Sequence, residues 1–253
     1  MTIRIIKGVV VYLLLIVNST FCFGQFTEQS PREGRLKGKV ESVVFANYYI
    51  MKDGNVEVKE FNDRVAYYYD LKGLLKEERS SDEENVDSKQ YRSVYNYNAE
   101  GHLSSVIEYD QENAIADTET YTFDPTKRLV HLTLAKTSTT KMQLDDVGNV
   151  IEMFVYHHNP EPFSTTRYKY NAKGLCSESV QSWSKSKDLH KTIYEYDAND
   201  NLIKETAYKN ASVIATYTYT YSKYDQFKNW LVQKTYKSGR LDGVSERNIY
   251  YQR

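Results

Sequence analysis

Three groups of side chains in this chain have the residue types that do chemistry. Cys176 is the one cysteine beyond residue 22, and a thiolate set beside a base is a nucleophile. His157 and His158 are adjacent, with Glu161 shortly after, and imidazoles with a carboxylate form a metal donor set. The run Asp197-Ala198-Asn199-Asp200-Asn201 presents alternating oxygens like the opening of a calcium loop. Whether any of these acts depends on the elements that hold them.

Those elements are dictated by a repeat. An aromatic-Asp-x-x-Gly-x-Leu pattern, as in Tyr69-Asp70-Leu71-Lys72-Gly73-Leu74-Leu75, recurs along almost the whole chain. The residues opening each copy are Asp70, Asn98, Asp124, Asp145, Asn171, Asp197 and Asp225, with a degenerate first copy at Met51. Three positions on stand Gly54, Gly73, Gly101, Lys127, Gly148, Gly174, Asp200 and Lys228. An Asp or Asn whose oxygen caps turn amides, followed by glycine where φ is positive, specifies a type I turn. Between strands this makes a three-residue hairpin loop closed by a bulge.

Such a turn sets the register. The residue before each opener faces the residue five after it, pairing Ile50 with Val56, Tyr69 with Leu75, Tyr97 with Leu103 and Phe123 with Leu129. Leu144 then pairs with Val150, Tyr170 with Cys176, Tyr196 with Leu202 and Tyr224 with Trp230. Every pair is apolar or aromatic on both sides, the usual unit of cross-strand stabilisation. Two residues upstream lies a second aromatic row, Tyr48, Tyr67, Tyr95, Tyr121, Tyr168 and Tyr194, which strand alternation turns to the same face. With apolar residues alternating at period two and no helical pattern, the chain is all-β: tandem antiparallel hairpins, about eight in number, in one continuous curved sheet or a partial barrel. Eight hairpins are not expected to close on themselves, which leaves edge strands open to self-association.

Within this register the chemical candidates have plainer roles. Cys176 fills the slot held by Leu75, Leu103, Leu129 and Leu202 elsewhere, so it reads as core. His157 and His158 point to opposite faces of a strand, and His102, His131 and His190 read as surface residues at turns or strand ends. The calcium-like run lacks the glycine and the distant Glu of an EF-hand, with Tyr208 where that Glu belongs, and the turn explains it fully. No catalytic residue, metal site or cofactor is assigned. The tyrosines, 24 in all, read mainly as a structural ladder on partly buried faces, whose rings pack while their oxygens reach water.

Away from the motif turns, the connecting segments vary: Ser80 to Lys89, Gln111 to Asp117, Lys136 to Thr140, His158 to Thr165, Ser184 to Leu189, Lys209 to Ser212 and Lys237 to Gly243 share neither length nor motif. That irregular edge is where binding is expected. At the N-terminus, Arg4 and Lys7 precede an apolar run from Val9 to Val17, followed by small residues to Gly24, which reads as a signal peptide over residues 1–24. Residues 25–35 then form a linker and 36–253 one repeat domain. Lipidation at Cys22 is disfavoured by the bulky Phe21 before it. Cleavage leaves no segment of the roughly 20 apolar residues a membrane-spanning helix needs. It also leaves 31 basic against 34 acidic residues, mixed along the chain, which excludes the clustered positive field of a nucleic-acid binder.

Tyr-x-Tyr-Asp-x-x-Gly-x-Leu, at Tyr67 to Leu75 and in variant form at Tyr95 to Leu103, Tyr168 to Cys176 and Tyr194 to Leu202, resembles the YD repeat of the RHS-repeat superfamily of bacterial surface and polymorphic-toxin proteins. The resemblance runs from about Leu36 to the C-terminus. In large members it implies a hollow β-shell around a toxin domain. Here the chain ends in a strand, Asn248-Ile249-Tyr250-Tyr251, so toxin delivery is not implied. The expectation is a small, non-enzymatic, exported YD-repeat protein of the periplasm, cell surface or medium, binding a protein or a glycan, or assembling as a shell element with other YD-repeat chains. A hydrolase is the third and weakest reading.

Overall fold

The computed structural model describes residues 36–53, 56–85, 89–134 and 138–253, and the expected signal peptide and linker lie outside them. Among the described residues sixteen strands follow one another: β1 (Val40–Asp53), β2 (Val56–Tyr69), β3 (Leu75–Ser81), β4 (Tyr91–Tyr97), β5 (Leu103–Tyr109), β6 (Ile115–Asp124), β7 (Leu129–Leu134) and β8 (Ser138–Leu144). The second half comprises β9 (Val150–Tyr156), β10 (Ser164–Tyr170), β11 (Cys176–Trp183), β12 (Leu189–Tyr196), β13 (Leu202–Lys209), β14 (Ser212–Tyr224), β15 (Trp230–Lys237) and β16 (Arg240–Tyr251). Each pairs antiparallel with its neighbours in sequence, and β1 pairs with β16, so the sheet is a closed barrel. The chain is all-β, as its alternation predicts, but the expectation that eight hairpins stay open is corrected.

Closure has a local cause. At the seam, Val43, Phe45 and Trp230 form a separate core cluster. Arg247, only 4% exposed, lies 3.6 Å over the Trp230 ring and donates from Nε to the Trp230 carbonyl at 2.6 Å. The last motif turn latches both ends of the domain: the Lys37 amide donates to Asn229 Oδ1 at 2.8 Å, and Tyr251 donates to Asp225. No repeat pattern announces these contacts, because they join residues at opposite ends of the chain.

Six of the eight expected pairs form: Tyr69 with Leu75, Tyr97 with Leu103, Leu144 with Val150, Tyr170 with Cys176, Tyr196 with Leu202 and Tyr224 with Trp230. Gly73, Gly101, Gly148 and Gly174 all have positive φ, as do Asp200 and Lys228 in the copies without glycine. Each opener caps as its chemistry requires; Asp70 Oδ1, for example, accepts the Lys72 and Leu74 amides at 2.8 and 2.9 Å. Two copies differ. In the first, Ile50 faces Lys59 and Val56 faces Asp53. At Asp124 the loop is one residue longer: Asp124 pairs with Leu129, Phe123 with Val130, and the positive φ falls on Arg128, not Lys127. One turn was missed on the opposite edge, where Asp110 accepts the Glu112 and Ala114 amides and Asn113 takes φ 60°. The connections there are therefore not free of the motif.

A closed sheet can shelter only its inner face, and the most deeply buried large side chains, Trp230, Leu202, Val43, Val130, Val150 and Cys176, alternate onto one face. That face is the inner wall. Outward positions carry ion pairs around the circumference: Arg79 with Glu77, Arg167 with Glu152 at 2.7 Å, Lys169 with Glu178 at 2.7 Å and Lys204 with Glu195 at 2.7 Å. Two aromatics depart from the predicted face. Alternation from the inward Val43 and Phe45 sets Tyr48 outward, under Lys59, and Tyr224, beside the positive-φ Lys223, is 50% exposed.

Candidate functional site

The motif tyrosines sit where adjacent hairpins splay apart. Between β3 and β4 the ladder runs only from Glu77 opposite Val94, so Leu75 lies beyond its last pair. Tyr97 fills that gap, and its hydroxyl donates to the Leu75 carbonyl at 2.7 Å. The arrangement repeats: Tyr170 donates to Val150 at 2.6 Å, Tyr196 to Cys176 at 2.8 Å and Tyr221 to Leu202 at 2.5 Å. In the last copy Tyr221 thus takes the place predicted for Tyr224, and at the seam Arg247 takes it on Trp230. A buried carbonyl left without a donor is costly, so these hydroxyls are committed to the wall itself.

A second row binds one step further in, to the residue eight after a turn opener. Tyr95 donates to Glu78 at 3.1 Å, Tyr219 donates to Glu205 at 2.9 Å, and Tyr194 lies 3.4 Å from Ser179. Tyr168 is buried in the same cluster, and Tyr67 packs at the seam against Phe45. Cys176 is 1% exposed in the core. His157 is exposed and packs on Phe163, His102 contacts Phe123, and His131 is on an outward row beside Lys141. His190 differs from its expected surface placement: it lies half-buried on the inner face, edge-on to Trp183. Asp197 caps Asn199 and Asn201 as a turn, and Asp200 pairs with Lys173 at 2.6 Å.

Sequence reasoning missed an acidic patch on this wall. Register sets Glu78 opposite Ser93, Ser93 opposite Glu108, and Glu108 opposite Asp117, one row across β3 to β6, with Glu119 one step along β6. Tyr121 donates to Glu119 at 2.5 Å. Burial pushes the Glu108 carboxyl up to about 7, helped by the negative charges of Glu119, Asp117 and Glu78. Glu78 and Glu119 are also raised, mainly by burial. Glu108 can therefore hold and exchange a proton near neutrality. Its members come from three hairpins and carry no local motif; only the eight-after-the-opener rule would have found Glu78.

No family model matches the chain, and no curated protein does. Among solved structures, a porin-like protein from Bacteroides uniformis ATCC 8492 is similar over 83% of this chain and 96% of its own, with TM-score 0.52 and 9% identity. That likeness is one of fold. The Photorhabdus luminescens Tc holotoxin pore (TccC3-D651A) aligns over 87% of this chain, but this chain spans only 13% of it, with TM-score 0.33 and 14% identity.

Proposed function

We propose that this chain is a non-enzymatic exported protein of the cell envelope, a YD-repeat barrel that stands in water and works as a scaffold, presenting its irregular loop rim to a protein partner. The observation that carries this reading is the polarity of the wall. A barrel that crosses a membrane turns an apolar band about 25 Å tall to lipid, and an outward Arg or Lys at mid-depth costs about 2–4 kcal/mol. Here the outward rows hold Arg167, Lys169 and Lys204 with their acidic partners, while the apolar rows face inward. The likeness to a porin-like protein therefore supports the barrel and not a pore.

A glycan partner would favour an aromatic platform. The most exposed tyrosines, Tyr49, Tyr91, Tyr224 and Tyr250, are divided between the two rims, and the motif tyrosines are bonded within the wall. This favours protein over sugar. The test is fractionation of cells expressing the full chain, followed by glycan-array and pull-down binding. Release into the periplasm or medium without detergent, with pull-down binding lost on changing the 158–163 and 184–188 loops, is the expected result. Extraction only by detergent, or binding confined to the glycan array, overturns it.

A further inference from the structure

The first hairpin is longer than the wall it belongs to. β2 pairs with β3 only from Arg64 opposite Ser81 onward, so Val56 to Asp63 project past the rim with one edge on β1 and no strand among the described residues on the other. An unpaired edge presents open N–H and C=O groups. Beside it lies an apolar face: Val56, Val58, Met51 and Tyr49 are 65%, 37%, 51% and 57% exposed, and Met51 stands directly opposite Val58.

We propose that this edge pairs with the same edge of a second copy of the chain, antiparallel about a two-fold axis at Val58. The register is chosen by charge. Centred on Val58, it sets Glu57 against the partner's Lys59 and Lys59 against the partner's Glu57, two opposite-charge cross-strand pairs. One residue to either side, Glu57 would meet its own copy or Lys59 its own copy. The same register lines up Met51, Val58 and their copies in one apolar row across a four-stranded sheet, and places the partner's Val56 opposite Glu60, short of where β3 begins. Lys59 also pairs with Glu246 at 2.7 Å, which holds its ammonium on the outward face with Glu57. Closure gives every strand a neighbour on both sides, and Val56 to Asp63 is the longest stretch among the described residues with one edge unpaired, so self-association through strands is favoured there, and a two-fold contact consumes that edge.

The proposal stands apart from any partner at the loop rim. Its test is sedimentation equilibrium of the protein recovered after export. A concentration-dependent dimer is expected, weakened about tenfold or more by Glu57→Lys, which sets lysine against lysine in both pairs, and restored by Glu57→Lys with Lys59→Glu. Val58→Lys, at an exposed position the fold does not need, is expected to give a monomer with unchanged melting temperature. A monomer at every concentration overturns the proposal, as does a dimer indifferent to Glu57→Lys and Val58→Lys.

Discussion

The Tyr196 hydroxyl donates a 2.8 Å hydrogen bond to the Cys176 carbonyl of the preceding hairpin. The two residues belong to successive copies of one motif: Tyr196 precedes the Asp197 turn, and Cys176 follows the Asn171 turn. The link recurs from Tyr97 to Leu75 and from Tyr170 to Val150, so each copy closes the gap left by the one before. This assigns the aromatic of the motif a chemical reason. Phenylalanine would fill the same space, but it lacks the hydroxyl that donates to the carbonyl.

Tyr196→Phe is therefore expected to destabilise the barrel by about 1 kcal/mol, the net worth of a typical hydrogen bond. Tyr224→Phe, at a 50% exposed position, should change stability by less than about 0.5 kcal/mol. Urea unfolding of both variants, compared at equal slope, measures the difference. Equal losses would mean that ring packing alone accounts for the tyrosines.

The Asp124 turn allows a sharper test of register. Arg128 has φ 48°, a left-handed conformation that costs a side chain about 1–2 kcal/mol, whereas Lys127, where the aligned copies place glycine, does not. Arg128→Gly should stabilise by about 0.5–1 kcal/mol after its cost in unfolded-chain entropy. Lys127→Gly should destabilise by a similar amount. Thermal melts that reversed this order would restore the aligned register.

These cases show what was legible in the chain and what was not. Tyr69 with Leu75 and Tyr196 with Leu202 were readable because turn type and apolar pairing are local, and both point to one register. Asp124 misled because Pro125 and Arg128 make a longer loop with the same opener. Closure was invisible: Arg247 on Trp230 and Tyr251 on Asp225 join chain ends whose partners no spacing predicts. The acidic patch was invisible for a related reason, since Glu78, Glu108 and Asp117 meet only after three hairpins are set side by side.

The seam makes its own prediction. Gly38 has φ 89°, and a Cβ there would stand 2.9 Å from the Tyr251 ring, whose hydroxyl donates to Asp225. Gly38→Ala should destabilise by about 1–3 kcal/mol, through backbone strain and displacement of the latch. Gly73 has a similar φ of 82° but open space around it, so Gly73→Ala should cost only about 1 kcal/mol. Melting temperatures of the two variants separate steric clash from strain; an equal drop would remove Tyr251 from the account.

The carboxylate row predicts how stability follows pH. Burial disfavours the charged form of Glu108, and its neighbours add repulsion: it faces Ser93 on β4 and Asp117 on β6, with Glu119 beyond and Glu78 on the far side of Ser93. Its pKa rises from 4.5 unfolded to about 7 folded. The folded state therefore binds more protons between those values, and stability declines as pH rises through that window. Below about pH 4.5 both states are protonated and the contribution is complete; above about 7 it has been lost. The carboxyl is partly open to solvent, which reduces the size of the effect but not its sign. Melting temperature should therefore fall from pH 5 to pH 7.5 in the natural chain, and fall less steeply in Glu108→Gln, where the central proton is replaced by a neutral amide. A melting temperature that rose across this window, or an identical slope in the variant, would show that the row does not govern the wall from β3 to β6.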